Sequence, residues 1–381
     1  MVMGPSCGLA LADLGAEVIK VEPPEGDNTR RLQAAGAGFF PVFNRNKKSL
    51  AVDLKRAEGR EIVLRLVDCS DVLSENFRPG ALDRLGFGYE ALSQRNPRLI
   101  YCSLKGFLDG PYQHRAALDE VVQMMGGLAY MTGLPDRPLR AGSSVVDILG
   151  GTFGALGVVA ALRERETTGR GRLVTSALFE STAYLVAQHM AQFEITGVAP
   201  PPMSVKRPAW GIYDIFETAA AGGDDARLFV GVVTDTQWEI FCREFALADL
   251  AADARLRSNA DRVRERAWLI PRLGEVMKRY SRADLAAKLE SIGLPFAPIA
   301  KPWDLLDDPH LKASGGLYET RIPGGGTFHA PSLPLSLDGK RLPKRFDPPA
   351  LGEGARELLS GLGYTAAEIA GLHARGSIAL P

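Results

Sequence analysis

Short apolar runs alternate with longer segments of helical periodicity along the first half of the chain. The predicted strands are Glu17–Val21, Ser49–Asp53, Asp71–Leu73, Leu99–Leu104 and Leu173–Ser176. The predicted helices are Cys7–Leu14, Ala57–Leu66, Ala81–Leu85, Asp119–Met131, Ile148–Arg163 and Glu180–Phe193. This alternation is typical of an α/β fold with a doubly wound parallel sheet, in which ligands bind at the carboxyl ends of the strands.

The pattern changes at a proline-rich connector that follows Gly197. Beyond it, a strand at Phe229–Val233 and helices at Trp238–Phe245, Asp261–Tyr280 and Ala283–Ile292 predict a smaller α+β domain. Two final helices, Ala355–Leu362 and Ala366–Arg375, carry an apolar face that we expect to pack back on the first domain. We therefore predict a large domain at 1–197, a linker and small domain at 198–304, and a linker with the return to the large domain at 305–381.

The chain opens directly on an apolar helix that feeds a short strand. In a βαβ unit such a helix normally follows another strand. We therefore expect the chain to begin about one strand late, with the first strand of the sheet missing before Met1.

Composition narrows the function classes. Lys and Arg total 45 against 45 for Asp and Glu, which argues against a nucleic-acid-binding protein but allows one local basic pocket. The four cysteines form no CxxC pair and the histidines lack metal-ligand spacing, so we expect no zinc site. Since we find no unbroken apolar run of about 18 residues and no signal peptide, we expect a cytoplasmic protein without a membrane span.

Asp147 is the leading candidate for chemistry. It lies where a polar loop runs into an apolar helix, which predicts that it is the N-cap and is kept ionised by the helix dipole. Gly150 and Gly151, one turn later, would leave room for a close approach to the backbone. An ionised aspartate beside open space can act as a nucleophile, although this segment taken alone favours a plain cap.

One polar segment directly precedes a predicted strand, and another follows the next predicted strand along the chain. The run 44–48 contains three cations that suit a phosphate, or else forms a solvated turn. Glu75–Gly80 places polar groups and an aromatic ring at a strand end, or else is a structural turn. Asp119 begins another helix, where a plain N-cap is the favoured interpretation. No GxGxxG, Walker A or GxSxG motif occurs.

Taken in order, a set of segments resembles the class III CoA-transferase family, also called CaiB/BaiF, which includes formyl-CoA transferase, carnitine CoA-transferase and α-methylacyl-CoA racemase. The matching segments are Leu11–Glu22, Asn44–Lys55, Glu75–Gly80, Asn96–Ile100, Asp119 with Gly126-Gly127, Asp147 with Gly150-Gly151, Thr168–Gly171, Ala297–Ile299, Asp308–His310 and Leu351–Glu353.

The resemblance implies a Rossmann-like large domain built from both chain ends, a smaller α+β domain, and a homodimer of interlocked rings. It places the catalytic aspartate on Asp147. It implies no permanently bound cofactor and no metal, with coenzyme A thioesters as substrates. The predicted substrate- and CoA-binding residues are Val52, Lys55, Asn76, Phe77, Ala81, Leu85, Lys47, Arg115, Asp119, Gly150 and Gly151.

The implied reaction moves CoA from an acyl-CoA donor, for which we favour succinyl-CoA, to a small carboxylic or dicarboxylic acid. It would proceed through an aspartyl-acyl anhydride and an aspartyl-CoA thioester. Val2 stands where formyl-CoA transferase has a catalytic glutamine, which disfavours oxalate chemistry. Ala221–Asp224 is a weak substitute for that enzyme's glycine-rich loop. Lys206 and Arg207 would hold a distal carboxylate, or else form an exposed basic pair.

Two alternatives stay open at this point. The racemase branch uses a histidine directly before the aspartate that matches Asp119, but this chain has Leu118 there, which cannot act as a base. A non-catalytic CoA-binding protein would keep Asp147 as a plain cap.

Overall fold

The computed structural model describes residues 1–205, 209–219 and 226–381. Its contacts divide the chain into two compact units. The large unit combines Met1–Val205 with Pro309–Pro381, and the small unit is Lys206–Asp308.

The first segment of the large unit alternates strands and helices as the sequence predicts. Its strands are β1 (Val18–Glu22), β2 (Lys47–Val52), β3 (Val72–Glu75), β4 (Ile100–Lys105) and β5 (Leu173–Ala177). Its helices are α1 (Met3–Asp13), α2 (Phe39–Phe43), α3 (Ala57–Cys69), α4 (Tyr89–Arg95), α5 (Asp119–Met125), α6 (Leu128–Thr132), α7 (Val145–Thr168) and α8 (Leu178–Thr196).

The small unit folds around its own apolar core. Its elements are β6 (Ile212–Glu217), β7 (Arg227–Val232), α9 (Asp235–Glu244), α10 (Ala248–Ala252), α11 (Asn259–Arg264), α12 (Arg266–Met277), α13 (Arg282–Ser291) and β8 (Phe296–Pro298). The strands pair antiparallel in the order β6-β7-β8, and their inward residues Ile212 and Val230 pack with Trp238 and Leu273 of the helices.

The chain then returns to the large unit. This segment forms α14 (Pro309–Ala313), β9 (Leu317–Arg321), β10 (Thr327–Pro331), β11 (Ser336–Leu337), β12 (Lys340–Arg341), α15 (Ala355–Gly361), α16 (Ala366–Ala374) and β13 (Ile378–Ala379). Leu359 of α15 and Ile369 of α16 pack in one apolar cluster with Leu50 and Ile62.

The described strands of the large unit form two three-stranded sheets and two antiparallel pairs, β9 with β10 and β11 with β12. β3, β4 and β5 are parallel, and β1 is parallel to β2. β13, which the sequence analysis did not predict, runs antiparallel to β2. The α/β class with parallel pairing is confirmed, and the ends of β3 and β4 both lead into polar loops.

Helix α7 is packed through a row of glycines. A Cβ atom added to Gly150 would lie 2.7 Å from Met3 Cε, and one on Gly154 would lie 2.6 Å from Leu104 Cδ2. One on Gly151 would meet Ser6 Oγ at 2.0 Å and the Met3 carbonyl oxygen at 2.6 Å. The absence of side chains therefore lets α7 lie directly against α1 and β4.

Two predicted helices are each broken in two. The helix expected over 119–131 ends at Met125, because Gly127 has a φ of +80°, which a right-handed helix cannot accommodate. The helix expected over 261–280 is interrupted at Glu265, which is the C-cap of α11 and precedes α12.

Among the described residues, α7 is long and apolar enough, by length and composition alone, to cross a membrane. The charged residues of α7 lie towards its two ends, at Asp147 and from Arg163 onward, and the expectation of no membrane span stays a prediction. Within the large unit, α7 packs against Met3, Leu104 and Val174, which accounts for its apolar composition.

Candidate active site

Asp147 lies in the first turn of α7, at its third residue. The prediction that it is the N-cap was wrong, because the helix begins two residues earlier and its N-cap is Ser144. The side chain of Ser144 makes no capping hydrogen bond. The carboxylate of Asp147 is half-buried, and within the described part of the chain no hydrogen bond engages its oxygens.

Asp119 supplies the cap that Ser144 does not. Its Oδ2 accepts hydrogen bonds from the backbone nitrogens of Val146 at 3.0 Å and Asp147 at 3.1 Å. These are the N–H groups that an N-cap side chain normally binds. Asp119 was expected to cap its own helix. It instead lies buried at the first residue of α5 and fixes the backbone of Asp147 from a neighbouring element.

Gln123 links the capping carboxylate of Asp119 to the segment before α7. Its Nε2 donates to Asp119 Oδ1 at 2.6 Å, and its Oε1 accepts from the backbone nitrogen of Ala141 at 2.8 Å. Gln123 is fully buried. The capping carboxylate and the segment between α6 and α7 are therefore both hydrogen-bonded to one side chain. The backbone of Asp147 is held through this network.

Burial raises the pKa of Asp147 to about 6, and the nearby Asp119 carboxylate adds to the rise. The amino group of Met1 and the guanidinium of Arg140 act in the opposite direction. The sequence analysis expected the helix dipole to favour the ionised form, whereas burial moves the pKa of this carboxyl upward. Near pH 7 about nine-tenths of a carboxyl group with this pKa is ionised, so the carboxylate form predominates.

Gly150 and Gly151 face α1. The space that a Cβ would occupy is filled by Met3 and Ser6, so the close approach these glycines permit in this structure is that of a helix. Gly150 also accepts a hydrogen bond from Ser176 Oγ at 2.8 Å through its carbonyl oxygen. A contact of either glycine with substrate stays a prediction.

Glu75 organises the loop after β3. Its Oε1 accepts from Ser103 Oγ at 2.7 Å and from Lys105 Nζ at 2.6 Å, and its Oε2 accepts from the backbone nitrogen of Phe77 at 2.9 Å. Lys105 also donates to the Phe77 carbonyl oxygen at 2.9 Å. The ring of Phe77 is left 56% exposed, which leaves its face open to stacking.

The other predicted CoA contacts lie around this loop and the end of β2. Asn76 is exposed, with its side-chain amide against Gly4, while Ala81 and Leu85 are half-buried. Val52 is buried at the end of β2, and Lys55 is exposed just beyond it. Their role in binding stays a prediction.

Arg115 lies in the segment before α5. It is exposed, and its guanidinium carbon lies 4.0 Å from the centre of the Tyr112 ring. An exposed guanidinium is available to an anionic ligand, so its predicted contact with CoA also stays open.

The basic run 44–48 is a structural cluster in this fold, which contradicts the expectation that Lys47 is open to a phosphate. Lys47 Nζ is buried and donates to the carbonyl oxygens of Pro5 and Phe43 and to Asn44 Oδ1. Burial lowers the pKa of Lys47 well below its usual range. Arg45 pairs with buried Asp13 at 2.6 Å.

Lys48, the last cation of the run, is also paired. Its Nζ lies 2.6 Å from a carboxylate oxygen of Glu17 and 3.1 Å from one of Glu357. Over the described residues, no group of three or more His, Cys, Asp or Glu side chains could hold a metal ion.

Comparison with known proteins agrees with this architecture. The family model for CoA-transferase family III matches residues 1–355. The succinyl-CoA–D-citramalate CoA-transferase of Chloroflexus aurantiacus is 34% identical over 380 residues, which cover 98% of this chain and 94% of that protein. The succinate–glutarate CoA-transferase of Agrobacterium fabrum is 32% identical, covering 95% of this chain and 92% of that protein.

Among solved structures, a CaiB/BaiF family protein from Brucella suis superimposes with a TM-score of 0.81 at 35% identity, covering 95% of this chain and 96% of that one. The chain belongs to CoA-transferase family III. The resemblance drawn from the ordered motifs is confirmed, and with it the conclusion that the protein is an enzyme of the CoA-transferase class.

Two earlier hypotheses lie outside the described residues. They concern the carboxylate contact by Lys206 and Arg207, and the glycine-containing segment Ala221–Asp224.

The sequence analysis missed the roles of Gln123 and Arg140. Gln123 contacts Asp119 from 4 positions along the chain, and Arg140 lies near it from 21 positions along. Neither residue belongs to a recognisable motif.

Proposed function

We propose that this protein is an acyl-CoA:carboxylate CoA-transferase in which Asp147 is the nucleophile. The observation that carries the proposal is a half-buried carboxylate without a hydrogen-bond partner among the described residues, on a backbone fixed by Asp119. Desolvation keeps such a carboxylate reactive, while a pKa of about 6 keeps it ionised near pH 7.

The reaction runs as two exchanges at Asp147. A carboxylate oxygen attacks the thioester carbonyl of the donor, the C–S bond breaks, and an aspartyl anhydride and CoA thiolate form. The thiolate attacks the aspartyl carbonyl carbon, which releases the donor acid and leaves an aspartyl-CoA thioester. The acceptor carboxylate then displaces CoA to form a second anhydride. CoA thiolate attacks the acceptor carbonyl, which yields the new thioester and restores the Asp147 carboxylate.

Succinyl-CoA is the donor we favour, with a small carboxylic or dicarboxylic acid as the acceptor. The activities for which several relatives are named support this choice, since they pair succinyl-CoA with citramalate, mesaconate or glutarate. The racemase alternative is not favoured, because Leu118 is an exposed hydrocarbon side chain that cannot move a proton.

We also propose that the protein is a homodimer of interlocked chains. Large apolar side chains are exposed on α7 and α8, among them Leu156 at 61%, Tyr184 at 69% and Ile195 at 83%. An apolar surface of this kind is typical of an interface. Light scattering coupled to gel filtration tests this, and a monomer at micromolar concentration would contradict it. A cytoplasmic location stays a prediction.

The mechanism is tested by trapping the anhydride. The protein is incubated with succinyl-CoA, quenched with hydroxylamine and digested, and a hydroxamate is sought by mass spectrometry. We expect it on Asp147, and we expect Asp147→Asn to abolish both the adduct and CoA transfer. Asp136→Asn, at an exposed aspartate of the preceding loop, is the matched control and keeps both. A wild-type enzyme that transfers CoA without any adduct on Asp147 would contradict the mechanism.

A further inference from the structure

Arg140 is held beside the candidate nucleophile by its own backbone neighbours. The nitrogen of Leu139 donates to the Ala129 carbonyl oxygen at 3.1 Å, and the nitrogen of Ala141 donates to Gln123 Oε1 at 2.8 Å. The residue is therefore anchored on both sides, to α6 and to the side chain that also supports Asp119. The backbone of Arg140 is therefore held in place, although its side chain is long.

The guanidinium of Arg140 is only partly used by the protein. Its Nε donates to the Ala141 carbonyl oxygen at 3.1 Å, and its Nη2 lies 3.7 Å from Asp119 Oδ1, too far for a hydrogen bond. Among the described residues, no hydrogen bond engages Nη1 or Nη2. The side chain is 37% exposed, so the two terminal nitrogens form an accessible fork of the kind that binds a carboxylate with two parallel hydrogen bonds.

The charges around Arg140 change during the proposed reaction. In the free enzyme its cation acts on two carboxylates, Asp119 and Asp147. Formation of an anhydride at Asp147 turns one of these anions into a neutral group. The field of Arg140 is then balanced by Asp119 alone, at a loose 3.7 Å. A second carboxylate on the bound acyl group would restore the balance.

We propose that Arg140 binds the free carboxylate of a dicarboxylate acyl group, and so selects short dicarboxylic acids and their CoA half-thioesters over monocarboxylic ones. The proposal rests on the function proposed above, because it is the attack by Asp147 that brings the acyl group to this place. The residue proposed to contact the distal carboxylate is thus Arg140, whereas the sequence analysis named Lys206 and Arg207.

The test compares two substrate pairs on the same enzyme. CoA transfer is measured from succinyl-CoA to glutarate and from butyryl-CoA to acetate, with wild type, Arg140→Gln and Arg140→Lys. We expect Arg140→Gln to lower kcat/KM for the dicarboxylate pair by about 10- to 100-fold more than for the monocarboxylate pair, as loss of a charged hydrogen bond implies. Arg140→Lys should recover part of the difference, since it restores the charge but not the fork. Arg137→Gln, an exposed arginine of the same loop, is the control and changes neither pair.

Two results would overturn the proposal. An equal loss for both pairs would make Arg140 a general support for Asp147, and no loss for either would leave it without a role. A direct measurement separates these outcomes from failure of the proposed function. Free succinate should raise the Tm of Asp147→Asn, whose side chain is uncharged as in the anhydride, more than butyrate does, and adding Arg140→Gln should abolish that difference. If no substrate pair shows transfer but this difference is present, the transferase proposal fails and the carboxylate site stands. If the difference is absent, the carboxylate site fails.

Discussion

Replacing Asp147 by Asn should make the folded protein more stable, and only above a defined pH. In the folded state burial raises the pKa of Asp147 to about 6, against an ordinary value of 3.8. Each unit of difference corresponds to about 1.4 kcal/mol, so the ionised carboxylate costs the fold up to about 3 kcal/mol. Asn has nearly the same shape and carries no charge, so it removes this cost.

The sign follows from proton binding. Between pH 4 and 6 the folded state binds more protons at Asp147 than the unfolded state, so the wild-type free energy of unfolding falls as the pH rises through this window. The free energy of unfolding of Asp147→Asn minus that of wild type should therefore increase by up to about 3 kcal/mol from pH 4 to pH 8. Above pH 7 the difference should be constant.

Urea denaturation at a series of pH values measures this difference directly. Asp136→Asn, at an exposed aspartate, is the control for the general effect of removing a carboxylate, and its difference from wild type should be nearly flat. A flat difference for Asp147→Asn, or one that grows towards acid pH, would refute the view that burial governs this carboxylate.

Three further predictions follow from the same site. CoA transfer by the wild type should lose activity below an apparent pKa of about 6, because the protonated carboxyl of Asp147 cannot attack; a kcat/KM profile that stays level down to pH 4.5 would argue against this nucleophile. Asp119→Ala should lower the free energy of unfolding by about 1–2 kcal/mol through loss of the cap on α7, while Asp119→Asn should retain part of it; equal stability of Ala, Asn and wild type in urea would show that the cap is unimportant. Gly151→Ala should destabilise the protein by about 1–3 kcal/mol, because its Cβ would lie 2.6 Å from the Met3 carbonyl oxygen, whereas Gly274→Ala in α12 meets nothing within 4 Å and should be neutral or slightly stabilising; similar melting curves for the two variants would contradict the close packing of α1 on α7.

Local signals were enough to predict most of the elements of the large unit. The strands at β1 to β5 and the helices at α3, α7 and α8 follow from apolar periodicity, with ends displaced by a few residues. The break between α5 and α6 could not be foreseen from periodicity, because the apolar pattern continues across Gly126 and Gly127 while the φ of +80° at Gly127 interrupts the helix. Strand β13 is two residues long and exists only because β2 offers it a partner.

In the candidate site, too, one part could be predicted from the sequence and another could not. Asp147 could be found because a polar loop meets an apolar helix there. Its environment could not, since the cap comes from Asp119, 28 residues away, and the support from Gln123. The basic run 44–48 misled the sequence analysis for the opposite reason. Its charges are close together along the chain, but Lys47 points into the protein and finds three acceptors there.

The large unit pairs segments that lie far apart along the chain, which has a consequence for its synthesis. Ile378 pairs with Val52, and Arg345 donates to the carbonyl oxygens of Ala12 and Ala16, more than 300 positions earlier. These contacts cannot form until the chain has been translated through residue 378. The small unit is continuous in sequence, so all of its residues are available earlier during translation. It can therefore fold while residues 1–205 still lack the segment 309–381 that completes their unit. During that interval Leu50 and Ile62 lack the apolar partners that α15 and α16 later supply, so this part of the core stays open to water.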